Sequence, residues 1–139
     1  MKKIIFCIIV FVLVTVGLAA AGEQKVSVEI LYMNHGPLLS TLKDIDNACA
    51  QYKDKITVSR YDFDSPEGER FMRKKGISQH VPLMIWIAGK SDVSIKGKEI
   101  KFSGFPTGSG PAFFQGKWTI DDLRNALNKA TQKNKEFHV

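Results

Sequence analysis

Cysteine is scarce in this chain, which has 2 cysteines and 3 histidines among its 139 residues. The cysteines are Cys7 and Cys49, and no C-x-x-C motif is present. A dithiol oxidoreductase needs an exposed thiolate and a second cysteine that resolves the mixed disulfide. The sequence therefore excludes that mechanism. If the segment that contains Cys7 is removed, an internal disulfide is excluded as well.

Long hydrophobic runs are absent after Glu23, whereas Ile4–Ala21 consists almost entirely of apolar or small residues. Lys2 and Lys3 precede this run, and three alanines end it. This order of positive, apolar and small residues is typical of a secretory signal peptide. We therefore expect residues 1–21 to be cleaved and the protein to be periplasmic or secreted. A helix over the run would measure about 27 Å, close to a bilayer core of about 30 Å, so an uncleaved membrane anchor is the alternative.

A basic segment as dense as a nucleic-acid-binding helix is also absent, although Lys and Arg (20) outnumber Asp and Glu (14) and the formal net charge is +6. The lysines are spread along the chain without interleaved aromatic residues. Nucleic-acid-binding surfaces concentrate basic residues on one face or one helix. We therefore expect no nucleic-acid partner.

The rest of the chain has the hydrophobic patterning of one domain, which we place at residues 22–132, followed by a polar C-terminal tail at residues 133–139. Alternating or continuous apolar residues predict strands, and apolar residues spaced three and four apart predict helices. The predicted strands are Val26–Tyr32, Ile56–Tyr61, Pro82–Ala88 and a hairpin of Val93–Ile95 with Glu99–Phe102. The predicted helices are Leu38–Tyr52, Pro66–Lys75 and one that begins after Thr119.

The order of these elements predicts an α/β fold. We expect two parallel β-α-β steps, then the antiparallel hairpin and the terminal helix, in the order β-α-β-α-β-β-α. Because Leu83–Ile87 is apolar throughout, we expect its strand to be central and covered on both faces.

Polar residues mark the ends of the predicted helices. Ser65 is placed to cap the second helix, Gly76 to end it, and Thr119 to cap the third. Asp62 and Asp64 could form a carboxylate pair that binds a cation, but their position before Ser65 favours a role at the helix N-terminus.

Two short segments at element boundaries resemble the thioredoxin superfamily. Thioredoxins carry W-C-G-P-C between the first strand and the first helix, where this chain has N-H-G-P-L at positions 34–38. Gly76-Ile77 followed by Val81-Pro82 is similar to the family's Gly-Ile segment and the cis-proline before its third strand, with an interval one residue longer. The resemblance, clearest over residues 25–89, implies a three-layer thioredoxin-like fold with a mixed central sheet and a cis Pro82.

The resemblance also implies where the protein binds. Both family cysteines are replaced, so we expect a non-catalytic protein without a cofactor. Thioredoxins dock extended peptides against the cis-proline loop, and the matching binding edge here consists of Asn34, His35, Gly36, Pro37, Val81 and Pro82. The aromatic residues of the Gly- and Pro-rich segment 105–118 are expected to pack under their loop. Any that are exposed would form an apolar patch beside Pro82.

Two alternative functions remain open at this point. Cys49 could support a single-thiol redox activity, but it lies on the apolar stripe of the first helix, where we expect a buried thiol. His35 and His80, with Met33 nearby, could bind copper if the fold brings them together. We expect no such metal site, and the sequence leaves the partner and the oligomeric state open.

Overall fold

The computed structural model describes residues 24–34 and 36–136, and for residues 134–136 it describes the backbone only. The predicted signal peptide, His35 and the last three residues lie outside this part of the chain. The described residues form a mixed α/β structure with three helices. Its elements are β1 (Val26–Tyr32), α1 (Leu38–Ala50), β2 (Ile56–Asp62), α2 (Pro66–Lys75), β3 (Leu83–Ile87), β4 (Asp92–Ile95), β5 (Lys98–Lys101), a 3₁₀ turn (Ala112–Phe114) and α3 (Ile120–Glu136).

The main sheet is mixed and has the strand order β2-β1-β3. β2 runs parallel to β1, as predicted, but β3 runs antiparallel to β1. The prediction of two parallel β-α-β steps was therefore wrong for the second step. A continuous apolar run reports that a strand is covered on both faces, and it does not fix the direction of that strand.

β1, and not β3, is the central strand of the three-stranded sheet. The outer edge of β3 is covered by residues 102–104, since the Ile85 N–H donates to the Phe102 carbonyl at 3.0 Å and the Gly104 N–H donates to the Leu83 carbonyl at 2.8 Å. All five residues of β3 are buried, as expected. This edge is closed by a loop, which the apolar pattern of β3 does not predict.

The helices cover both faces of the sheet. On one face, α1 and α3 pack over alternating side chains of β1 and β3 and form the larger core. On the other face, α2 packs over a smaller cluster that consists of Leu31, Phe71, Met84 and Trp86. β1 contributes buried residues to both clusters, because successive side chains of a strand point to opposite faces.

A charged pair is enclosed in the α2 face. The Lys75 amine lies 2.5 Å from a carboxylate oxygen of Glu29, and both side chains are less than one-fifth exposed. The same amine lies 5.2 Å from the ring centres of Phe71 and Trp86. The ring of Tyr61 stacks on Phe71 at 3.9 Å between ring centres. Lys75 therefore pairs with a largely buried carboxylate and contacts two aromatic rings at once.

The predicted caps at both ends of the second helix and at the start of the third helix are confirmed. The Ser65 hydroxyl accepts the Gly68 N–H at 3.0 Å, and Gly76 ends α2 in the left-handed conformation. Thr119 and Asp122 exchange side-chain-to-backbone hydrogen bonds at the start of α3. Asp62 accepts the Asp64 N–H, so its carboxylate takes part in the turn before α2, as we interpreted it.

The C-terminal part differs from the sequence analysis in two ways. The predicted hairpin forms as β4 and β5, but it is a separate two-stranded sheet. The described chain has five strands, as many as the predicted segments, and the predicted order β-α-β-α-β-β-α contains one strand too few. The last helix continues to Glu136, past the expected domain end at residue 132. None of the described helices is long and apolar enough to cross a membrane.

Candidate functional site

The loop before β3 is tied to the end of β1. The Met33 N–H donates to the Pro82 carbonyl at 3.0 Å, which holds Pro82 beside the start of α1, where Pro37 precedes Leu38. The peptide bond between Val81 and Pro82 is trans, so the prediction of a cis-proline was wrong. Trans is the lower-energy isomer of most X-Pro bonds by about 0.5–1 kcal/mol, and sequence alone does not reveal whether the surrounding fold reverses this preference.

An open apolar pocket of about 190 Å³ lies between this loop and α1, and we call it the Pro82 pocket. Its lining contains no Asp, Glu, Lys or Arg. The side chains that shape it include Met33, Leu38, His80, Pro82, Phe105 and Phe114. The predicted binding edge is thus joined by residues from a third segment of the chain.

That third segment is the aromatic loop at residues 105–118. Phe105 and Trp118 are buried, as expected, but Phe113 is 90% exposed and Phe114 is 44% exposed. The expectation that all four aromatic residues pack under the loop was therefore wrong for these two. They extend the apolar surface beside the Pro82 pocket, which is the patch that we expected if any of the four were exposed.

The wall formed by the aromatic loop is fixed by backbone contacts. The Phe105 N–H donates to the Phe114 carbonyl at 2.9 Å, and the Gly116 N–H donates to the Phe105 carbonyl at 2.7 Å. Gly110 has a φ of 64°, and a Cβ at this position would overlap the Phe105 ring. Only glycine fits there without displacing that ring from the pocket wall.

The segment that runs into β3 alternates between two sides. His80 and Pro82 line the Pro82 pocket, whereas Gln79 and Val81 face the opposite side of the segment. Within the part of the chain that the structure describes, the backbone N–H and carbonyl of Val81 form no hydrogen bond. The segment is therefore an extended strip with polar backbone groups available next to an apolar pocket.

The predicted edge residues have different roles in this geometry. Pro37 and Pro82 line the pocket, while Asn34 and Gly36 are exposed close to it. Val81 packs partly against the smaller core, on the α2 face. His35 lies outside the described residues, so its place in the edge stays a prediction.

The candidate metal ligands are only partly described. The His80 ring is in an edge contact with Phe63, 4.8 Å between ring centres, and Met33 is buried in the pocket wall. Among the described residues, no group of three or more His, Cys, Asp or Glu side chains is arranged to hold a metal ion. Because His35 lies outside the described residues, a metal site that includes it is not tested.

Cys49 lies apart from the Pro82 pocket. It faces the core from the C-terminal part of α1 and is 6% exposed, as we predicted. Burial raises the pKa of its thiol to about 11. A thiol that keeps its proton at neutral pH is a poor nucleophile, so this environment opposes redox chemistry.

No family model and no curated protein matches this chain. The site therefore has to be interpreted from its own residues. Four further residues line the pocket without having been predicted from the sequence: Leu38, Phe105, Pro111 and Phe114. The signal that could have identified the last three is the clustering of Gly, Pro and Phe after residue 104, which is unusual for a simple connecting loop.

Proposed function

We propose that the chain is an exported, non-catalytic module that binds an extended segment of a partner protein, with one apolar side chain of that segment in the Pro82 pocket. We also propose that its fold is thioredoxin-like. The parallel β1-α1-β2 unit, the antiparallel β3, and the positions of Gly36-Pro37 before α1 and Pro82 before β3 support this assignment. The trans bond at Pro82 departs from the family pattern.

The observation that carries the functional proposal is the size and lining of the Pro82 pocket. A cavity of about 150 Å³ lined by apolar side chains holds one benzene molecule, whereas pockets for drug-sized ligands and cofactors measure about 300–1,000 Å³. At about 190 Å³, the Pro82 pocket fits a single aromatic or large aliphatic side chain. Its lack of charged residues disfavours a polar or ionic guest.

The extended segment beside the pocket, which includes Val81, favours a bound side chain that belongs to an extended peptide. An extended peptide that runs along Val81 can pair with its available N–H and carbonyl groups, as in strand addition to a sheet edge. Backbone pairing supplies affinity without regard to sequence, and the pocket then selects the side chain. Burying one Phe-sized side chain contributes about 1.5–3 kcal/mol, so we expect weak binding unless further side chains take part.

Single-thiol redox chemistry is disfavoured by the burial of Cys49 and the raised pKa of its thiol. A copper site at Met33, His35 and His80 remains an alternative that the described residues do not test. Neither alternative uses the exposed Phe113 and Phe114, whereas peptide binding does.

The experiment is a fluorescence-anisotropy titration of the protein with two labelled peptides. Both are short glycine–serine peptides, and one carries a single phenylalanine at its centre. We expect saturable binding of the phenylalanine peptide only. Phe114→Ser should weaken that binding about 5- to 10-fold, because the variant removes one aromatic wall and its ring contact with the guest, worth about 1–1.5 kcal/mol.

The matched control is Val58→Ser, which removes another exposed apolar side chain, on β2 at the other edge of the sheet. This variant should bind the phenylalanine peptide as the wild type does. Equal affinity for the two peptides, or equal losses in the two variants, would show that the pocket does not select the guest and would reject the proposal.

A further inference from the structure

A second pocket lies on the other side of the strip formed by residues 79–82. It has a volume of about 220 Å³ and is bounded by the turn after α2, by Val81 and Met84, and by the end of the hairpin. We call it the Lys101 pocket. The lining of the Lys101 pocket is mainly polar, in contrast to that of the Pro82 pocket.

Four residues with polar side chains line the Lys101 pocket: Ser78, Gln79, Lys101 and Ser103. Within the described part of the chain, none of these four side chains has a hydrogen bond or ion pair, and no carboxylate lines the pocket. Lys101 is its only charged lining residue. The pocket therefore presents one positive charge that forms no ion pair, together with hydroxyl and amide groups that can donate hydrogen bonds, while Asp92, the cross-strand neighbour of Lys101, does not line it.

The strip alternates between the two pockets residue by residue. Gln79 and Val81 line the Lys101 pocket, and His80 and Pro82 line the Pro82 pocket. A peptide that pairs with this strip in an extended conformation has the same alternation, because its successive side chains point to opposite faces. If one of its side chains enters the Pro82 pocket, the side chains next to it in the sequence point toward the Lys101 pocket.

We propose that the Lys101 pocket receives an acidic side chain, so that the preferred partner segment carries Asp or Glu next to its aromatic residue. This inference rests on the proposed peptide binding, and it adds the charge of the residue next to the aromatic one in the partner segment. Charge complementarity carries it, since the pocket has a cation and no carboxylate. At the nearby end of α2, the carbonyls of Arg73 and Met72 already accept the N–H groups of Gly76 and Ile77, which reduces the number of free carbonyls that would oppose an anion.

The test compares labelled glycine–serine peptides that contain Phe-Ser, Phe-Glu, Glu-Phe or Phe-Lys at the centre. Both orders of Phe and Glu are included because the strip accepts a strand in either direction. We expect the tighter of the two acidic peptides to bind about fivefold better than Phe-Ser at low salt, and Phe-Lys to bind more weakly than Phe-Ser. The acidic advantage should shrink as ionic strength rises.

Two variants distinguish an effect of the Lys101 pocket from an effect of the net charge of the chain. Lys101→Gln should abolish the acidic advantage and leave the affinity for Phe-Ser unchanged. Lys98→Gln is the matched control, because Lys98 lies on the same strand, is exposed, lines neither pocket and carries the same charge. The acidic advantage should persist in this variant.

The outcomes distinguish the two proposals. If Phe-Ser binds but neither acidic peptide binds better, the acidic preference is refuted and the apolar pocket stands. Equal losses in the Lys101 and Lys98 variants would assign the effect to the net charge of the chain and would also refute it. If no phenylalanine peptide binds, the proposed function fails and this inference fails with it.

Discussion

The Cys49 thiol should react far more slowly in the native protein than in the unfolded chain. Burial raises its pKa from an ordinary value of 9.0 to about 11. Only the thiolate attacks alkylating reagents, and at pH 8 this change lowers the thiolate fraction about 100-fold. Because the side chain is also only 6% exposed, we expect native alkylation to be slower than denatured alkylation by at least that factor.

The assay follows iodoacetamide labelling at pH 8 by intact mass, with and without concentrated guanidinium chloride. Cys7→Ser removes the only other thiol of the chain. A matched control places an exposed thiol nearby, as Lys53→Cys in a chain that also carries Cys7→Ser and Cys49→Ala. Its native and denatured labelling rates should agree within about threefold, because Lys53 is exposed.

The raised pKa also predicts how stability depends on pH. Below pH 9 the thiol is protonated in both the folded and the unfolded chain, so its contribution is fully present. As the pH rises from 9 towards 11, the unfolded chain loses the proton first, and the native state is destabilised. Urea unfolding of Cys49→Ala should show a shallower loss of stability over this range than the wild type.

Native labelling of Cys49 within tenfold of the denatured rate would refute this reasoning. It would mean that the reagent reaches the thiol without unfolding, and it would favour the single-thiol redox hypothesis over the proposed peptide binding. Identical pH profiles of Cys49→Ala and the wild type above pH 9 would contradict the assigned cause of the alkaline destabilisation.

Three further predictions concern stability, metals and export. Lys75→Met should lower the free energy of unfolding by about 2 kcal/mol in urea, because the largely buried Glu29 carboxylate is left without its partner, whereas exposed Lys74→Met should change it by less than about 0.5 kcal/mol. Calorimetric titration with copper or zinc should give weak binding or none, and a stoichiometric site lost in His80→Ala would overturn this. Intact mass of exported protein should show a chain that starts near Gly22, and membrane-bound protein that retains the leader would support the anchor.

The parts of the fold that local interactions decide could be predicted from the sequence. Ser65 and Thr119 cap helices through atoms within three residues, so the pattern around each residue was sufficient. β1 was predictable because its apolar and polar residues alternate, and this alternation directly indicates which side chains are buried. The direction of β3 was not, since it depends on how a distant segment packs against β1.

The candidate site was predicted only in part for the same reason. Pro37 and Pro82 were found because they occupy recognisable positions before a helix and a strand. Phe114 and Phe113 were missed as exposed residues, because their exposure depends on the path of a loop that the Gly110 turn and the buried Phe105 ring determine. No periodicity in the sequence encodes that path.

In the aromatic loop, the atoms that hold the loop in place are different from the side chains that are proposed to contact a ligand. Backbone bonds between Phe105, Phe114 and Gly116 hold the wall in place, and they use no atom of the exposed side chains. Positions 113 and 114 can therefore change while the wall keeps its shape. A small library of substitutions at these two positions would offer a route to redirecting the module toward other peptide side chains, with the core and the sheet left as they are.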